Sequence, residues 1–281
     1  MSRAMVRGIR VCGYQMKKTL KSPRFFILLL LLTVYFYLNE EGIRNFCSSV
    51  QVKASPYIFP FLTNDWICQM FLSGGFLWVA MPLGSREEES AFIRFRCGEK
   101  CWDLGNCLAV IGMAVFYTAV LWVLSAVVLI PHLEFSVSWG KIWRTLALTD
   151  AAWQYRIQLE TNAFIVEQFA PIMATALSLI LQVLCISWMG LLLYVVNRQT
   201  RSVAGFYLAV AFVFLDTMLF NTFLESFYPL SPVSLVRLGN YSKATLQYGV
   251  TLEGGISFYL IGIVCLCGAA VVLPKWRGEE V

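Results

Sequence analysis

The chain has 281 residues, 58% of them apolar and only 14% charged. An ordinary globular domain is about 45–50% apolar even with glycine counted, and about 25% charged. A water-soluble fold of this length has no interior large enough to hide the excess, so the surplus must face lipid. The same composition excludes intrinsic disorder, which needs low hydrophobicity. The formal net charge of +5 matters less than where the 22 Lys and Arg residues fall.

Residues 1–22 open the chain as an amphipathic helix. Arg3, Arg7, Arg10, Lys17 and Lys21 fall along one stripe, and Met5, Ile9, Cys12, Met16 and Leu20 along another. Such a helix lies in the membrane interface with its cations toward anionic headgroups. It serves either as a plain anchor or as a lever attached to a cytoplasmic partner. Ser22-Pro23 ends it, because proline disfavours helix at the residue before it.

Six apolar segments follow, at Phe25–Leu38, Trp66–Leu83, Leu108–Ile130, Pro171–Val196, Ser202–Phe220 and Gly255–Leu273. A spanning helix needs about 20 apolar residues. The third, fourth and sixth segments meet this without a charge, and the fifth carries one carboxylate, Asp216. The second spans if Thr63, Asn64 and Asp65 sit at its outer mouth. The first has an unbroken run of only 14 residues, which also fits a signal-peptide core. No small-residue cleavage site follows it, and the helix has room to run past Glu41 toward Phe46. The expected fold is therefore an all-α polytopic membrane protein, a single transmembrane domain over 1–281 with six spans.

Six spans put both termini on one side. Under that model 15 of the 22 basic residues lie on the terminal side and seven on the other. The positive-inside rule then makes both termini cytoplasmic, and the Asn240-Tyr241-Ser242 sequon falls outside.

The 84–107 loop carries the most information. Ser85 with Glu88 three residues later is a capping-box pattern. Glu87, Glu88 and Glu89 suit the positive end of a short helix, and Arg94 and Arg96 its negative end. Ala91, Phe92, Ile93 and Phe95 are too many apolar groups for a solvated loop. They either dip into the membrane interface or dock on another protein. On the other side, segments 131–170 and 221–254 are rich in aromatics, among them Trp139, Trp143, Trp153 and Tyr155. Two readings stand, an anchoring belt or a lid or re-entrant hairpin over a translocation path.

Much chemistry is missing. No Walker A pattern occurs, since Gly140-Lys141 is followed by Ile142. The single histidine, His132, leaves no HExxH or multi-histidine zinc set. Gly255-Ile256-Ser257 lacks a nearby base. Nine Cys in a chain this long are not a disulfide scaffold, and Cys97 and Cys101, at i and i+4, read as free thiols in a reducing cytoplasm. No residue is assigned to catalysis, cofactor or metal.

Asp216 lies 15 residues beyond Arg201, about 22 Å along a helix. A carboxylate at that depth is costly and must face protein or water. It is either a polar group on a translocation path or a hydrogen-bonded packing residue, with Thr217 and Asn221 the nearest partners in sequence.

The order of these features resembles the membrane (permease) subunit of bacterial ABC-2-type ABC transporters. The likeness rests on the basic Lys17-Lys18-Thr19-Leu20-Lys21-Ser22-Pro23-Arg24-Phe25-Phe26 stretch and on Phe92-Ile93-Arg94 after an acidic start. Trp102-Asp103-Leu104-Gly105-Asn106 before the third span and Leu230-Ser231-Pro232-Val233-Ser234-Leu235 before the last complete it. It covers nearly the whole chain by layout, with loose motifs, and Asn106 stands where the family usually has Lys. The resemblance implies a pair of such subunits, the same or homologous, assembled with two nucleotide-binding ATPase subunits that hold the ATP and Mg. It places the coupling helix at Glu87–Phe95. Phe92 and Ile93 would fill a groove on the ATPase, and Glu88, Glu89 and Arg94 would set the register.

The expected function is then export of an amphiphilic substrate (a peptide, lipid-like molecule or drug) across the bacterial cytoplasmic membrane, with no enzyme activity in this chain. Its partners would be ATPase subunits, a second permease subunit and the lipid bilayer, with no nucleic acid. The alternative is a non-transporting membrane sensor or assembly factor that binds a cytoplasmic partner through the same loop.

Overall fold

A computed structural model of the chain describes residues 3–84 and 88–273, with side chains described at 6–84 and 93–273. In chain order its α-helices are α1 (Arg3–Leu20), α2 (Pro23–Asn39), α3 (Glu41–Val50), α4 (Phe59–Asn64), α5 (Trp66–Ala80), α6 (Glu88–Cys97) and α7 (Glu99–Val128). They continue with α8 (Gly140–Leu148), α9 (Ala151–Gln154), α10 (Ala163–Gln168), α11 (Pro171–Thr200), α12 (Ala204–Phe220) and α13 (Leu252–Val272). Three short 3-10 turns, Glu225–Leu230, Pro232–Val236 and Leu238–Lys243, lie between α12 and α13. Helix α11 is the hub, packing on α4, α5, α7, α12 and α13.

Four stretches are long and apolar enough to cross a membrane: Pro23–Val50, α7, α11 and α13. Their outward faces are apolar too. Phe26, Leu30, Val34 and Leu38 on α2 and Ile261, Val264 and Val272 on α13 stand exposed. Apolar faces of that extent are not stable against water, and every backbone polar group inside a helix is already satisfied, as lipid requires. These features fit an α-helical, membrane-embedded protein.

The helix boundaries differ from the expected ones for local reasons. Helix α2 starts at Pro23, capped by the Ser22 side chain. The hydrogen-bond ladder carries on through Glu40, whose amide bonds Phe36 O and whose carbonyl accepts from Arg44 N, so the first span does run past Glu41. Helix α5 has only 15 residues, about 22 Å. Asp65 breaks the chain before it, capping Cys68 N at 2.8 Å, and the short α4 supplies the depth that α5 lacks. Thr63, Asn64 and Asp65, just before α5, are buried. Helix α12 starts at Ala204 because Arg201 and Ser202 form the turn that reverses the chain, Arg201 at φ +53°.

Helices α7 and α11 each have 30 residues, about 45 Å of helix against a hydrocarbon core of about 30 Å. Each therefore projects beyond it. Helix α1 lies against the first turns of α7. At Gly105 an added Cβ would stand 2.6 Å from Val11 Cβ and 2.8 Å from Gly8 O, so only glycine admits this approach. The face of α1 turned to protein is Gly8, Val11 and Gln15, while Ile9 of the expected apolar stripe stays exposed. At the other described end of the chain, Leu273 O accepts a 3.1 Å hydrogen bond from Arg198 on the last turn of α11. Both described chain ends thus meet at the same end of the bundle.

The opposite end is a packed cap rather than a plain aromatic belt. Trp143 is fully buried, donates to Ser55 O at 2.9 Å and stacks on Phe61. Trp139 donates to Phe169 O, while Trp153 stands exposed. The chain from Ser231 to Tyr241 is buried almost throughout. Irregular backbone survives at membrane depth only where protein supplies its hydrogen bonds. Here Gly239 N bonds Asn64 Oδ1 at 2.8 Å, Ser231 Oγ bonds Phe212 O at 3.1 Å, and Tyr259 donates to Pro232 O. Asn240 is buried with its Nδ2 donating to Ser234 O at 2.8 Å, so the sequon is closed to a glycan in this fold.

Candidate functional site

The predicted short helix after α5 is present as α6, ending at Cys97. Glu87 lies outside the described residues. Glu88, Glu89 and Phe92 lie on α6, and their side chains are outside the described set. Ile93 is half-buried. The Arg94 guanidinium folds back over the Trp102 ring, 5.8 Å from its centroid, and so lies against α7. Phe95 is 91% exposed. Among the described side chains of α6, the bare apolar group is thus Phe95, while Arg94 lies against α7. Burial pushes the Cys97 thiol above its ordinary pKa.

Behind α6 lies a charged lock that joins α7 to α11. Arg198 Nε donates to Asp103 Oδ1 at 2.9 Å and its Nη2 to Asp103 Oδ2 at 2.8 Å. Tyr194 Oη donates to the same Oδ1 at 2.8 Å. Both charged side chains are buried. Two parallel N–H···O bonds from a guanidinium fix orientation as well as distance. The adjacent residue's side chain, Asn197 Nδ2, donates to Met81 O and Leu83 O, and its Oδ1 accepts from Gly205 N at 2.8 Å. One side chain thereby ties the exit of α5, the end of α11 and the start of α12.

Gly84 completes this junction at φ +81°, where a Cβ would stand 2.7 Å from Tyr194 O and 3.2 Å from Arg198 N. Gly84→Ala is expected to destabilise the chain by about 2 kcal/mol, from left-handed strain plus the clash. The measurement is the thermal midpoint in detergent micelles, and an unchanged midpoint would contradict this packing.

Asp216 is buried on α12, and both its oxygens are engaged. Ser234 Oγ donates to Oδ1 at 2.5 Å, and Arg237 Nη2 donates to Oδ2. Arg237 is itself buried and lies over the Phe220 ring, 4.8 Å from its centroid. The partners are not Thr217 and Asn221, whose side chains bond backbone carbonyls of α12. Asp216 instead latches the irregular 231–241 segment onto the bundle.

Sequence reasoning missed Asp103, Arg198 and Arg237 as members of these pairs. The one available signal was that each charge lies beside a long apolar run, which demands a partner without naming it. Among the described residues all nine cysteines are free thiols, and no cluster of His, Cys, Asp or Glu could hold a metal ion. No protein-family model, curated protein or solved structure matches the chain.

Proposed function

We propose that the chain is the transmembrane subunit of an ATP-driven exporter of the ABC-2 type. It would move an amphiphilic substrate out across the bacterial cytoplasmic membrane, with ATP hydrolysed by a separate subunit. The observation that carries this reading is α6, a short helix at the end of the bundle that bears a bare phenylalanine on its free side and an arginine braced against α7 behind. An exposed aromatic flanked by Arg94 and Arg96 is the form of an interface anchor.

The linkage behind α6 suits the transmission of force. A push on α6 would reach α7 through Arg94 and Trp102. The Asp103–Arg198 pair would hand it to α11, and Asn197 would carry it to α5 and α12. Helices joined by directional bonds move as units, which is what a power stroke supplied by another polypeptide requires. In this scheme the α1 and α6 end is cytoplasmic, the span count is six with α5 and α12 included, and a second permease subunit completes the path.

The test is Phe95→Asp. The fold is expected to survive, because the side chain is almost wholly in solvent. Association with the ATPase subunit is expected to fall by about thirtyfold or more, the loss of one hot spot of about 2 kcal/mol, and transport with it. Normal co-purification and normal transport in this variant would sink the proposal. A partner that co-purifies through Phe95 but lacks a P-loop would favour the sensor or assembly-factor reading instead. A second measurement fixes orientation: in intact cells, impermeant maleimide is expected to leave Cys97 unlabelled. Its labelling after the membrane is opened is faster at alkaline pH, because partial burial raises the thiol's pKa.

A further inference from the structure

We infer that the cavity lined by α1, α2, α5, α6, α7 and α11 binds the phosphate headgroup of an anionic phospholipid, whose acyl chains lie against the lipid-facing helices beside it. The cavity holds about 440 Å³, within the usual range of about 300–1,000 Å³ for small-molecule sites. Its described charged lining is Lys18, Arg24, Arg94, Arg198 and Arg201, against the single carboxylate of Asp103. Asp103 is already spent on Arg198 through both its oxygens.

Arg24, Arg94 and Arg201 form no ion pair with a carboxylate among the described residues. The Nε of Arg94 is buried and has no hydrogen-bond partner. A guanidinium donor held out of water without an acceptor is costly. An oxyanion delivered into the cavity would remove that cost. The 17-residue α2 also opens onto it at Ser22, Pro23 and Arg24, so its positive end adds to the same field. Several guanidinium forks around one space match the tetrahedral oxygens of a phosphate.

The neighbouring cleft decides what the phosphate is attached to. It shares Thr19 and Val79 with the cavity and runs between α2, α5 and α7 along Leu28, Phe76, Met113 and Phe116. A polar, cationic chamber beside a narrow apolar slot of about 20 Å³ at the lipid-facing helices suits an amphiphile whose anionic end enters and whose acyl chains stay on the lipid-facing surface. The inference does not rest on the exporter reading, since it concerns this chain alone.

The experiment uses the full chain, purified without any ATPase subunit, and counts bound lipid by native mass spectrometry. The titrants are phosphatidylglycerol, phosphatidylcholine and glycerol 3-phosphate. One phosphatidylglycerol per chain is expected to be retained over phosphatidylcholine. Arg24→Gln combined with Arg201→Gln is expected to weaken it about tenfold or more, while Arg144→Gln at the far end leaves it unchanged. Both substituted side chains in the cavity are at least partly exposed, so folding is expected to persist, and Arg201→Gln alone provides a milder variant. Equal retention of the two lipids, or binding indifferent to the arginine substitutions, would overturn the site. Displacement of phosphatidylglycerol by glycerol 3-phosphate at equal concentration would assign the cavity to a soluble phosphate ester and overturn the lipid. Phe95→Asp is expected to bind phosphatidylglycerol normally, so failure here and failure of the exporter reading are separable.

Discussion

Asp103→Leu is expected to destabilise the chain by about 3–5 kcal/mol, because it strands the Arg198 guanidinium in a buried site. The wild-type carboxylate accepts from Arg198 Nε, Arg198 Nη2 and Tyr194 Oη. With it gone, Arg198 keeps only its bond to Leu273 O. Arg198→Met is expected to cost a similar amount by leaving Asp103 as a buried, half-satisfied anion. The double variant Asp103→Leu/Arg198→Met is the informative one. Replacing a whole buried pair by apolar groups is often neutral, so most of the loss is expected to return. About 1–3 kcal/mol would remain for the unpaired Tyr194 hydroxyl. Denaturant unfolding in micelles, taken through the double-mutant cycle, measures the coupling. Strictly additive single effects would mean that the pair does not hold α7 to α11.

Asp216→Leu is the second large effect, again about 3–5 kcal/mol, now read at the other end of the bundle. Arg237 would lose its carboxylate, and its Nε already has no partner. The 231–241 segment is then expected to loosen, since Ser234 is tied to the same carboxylate. Limited proteolysis across Ser231–Tyr241 is the direct readout. Asp216→Leu/Arg237→Met is expected to restore protection and to transport normally, as a latch without a role on the path requires. Restored protection with transport abolished would return Asp216 to the translocation path.

These two pairs explain where sequence reading stopped. The carboxylate at Asp216 was visible as a buried polar group from its depth in an apolar run. Its partner was not, because Arg237 comes 21 residues later, across a turn whose path is set by packing. Asp103 and Arg198 are 95 residues apart, on helices whose rotation about their own axes no local pattern specifies. Arg94 was readable as a helix-terminal cation, yet its direction, back over Trp102, depends on how α6 meets α7. The approach of α1 through Gly105 is of the same kind, since a glycine in a helix announces room without saying what fills it.

By itself the sequence determined the lipid-facing composition, the apolar helices and their approximate limits, the amphipathic first helix and the short helix after α5. Those features are local: hydropathy, caps and turn residues act within a few positions, and a chain in lipid has to satisfy its backbone within each segment. The tertiary structure alone decided which charges neutralise one another, that the stretch before α13 is buried, and that a cationic cavity lies behind α6. Such facts depend on distances between segments remote in sequence, and they arise only when the helices have chosen their neighbours and their rotations.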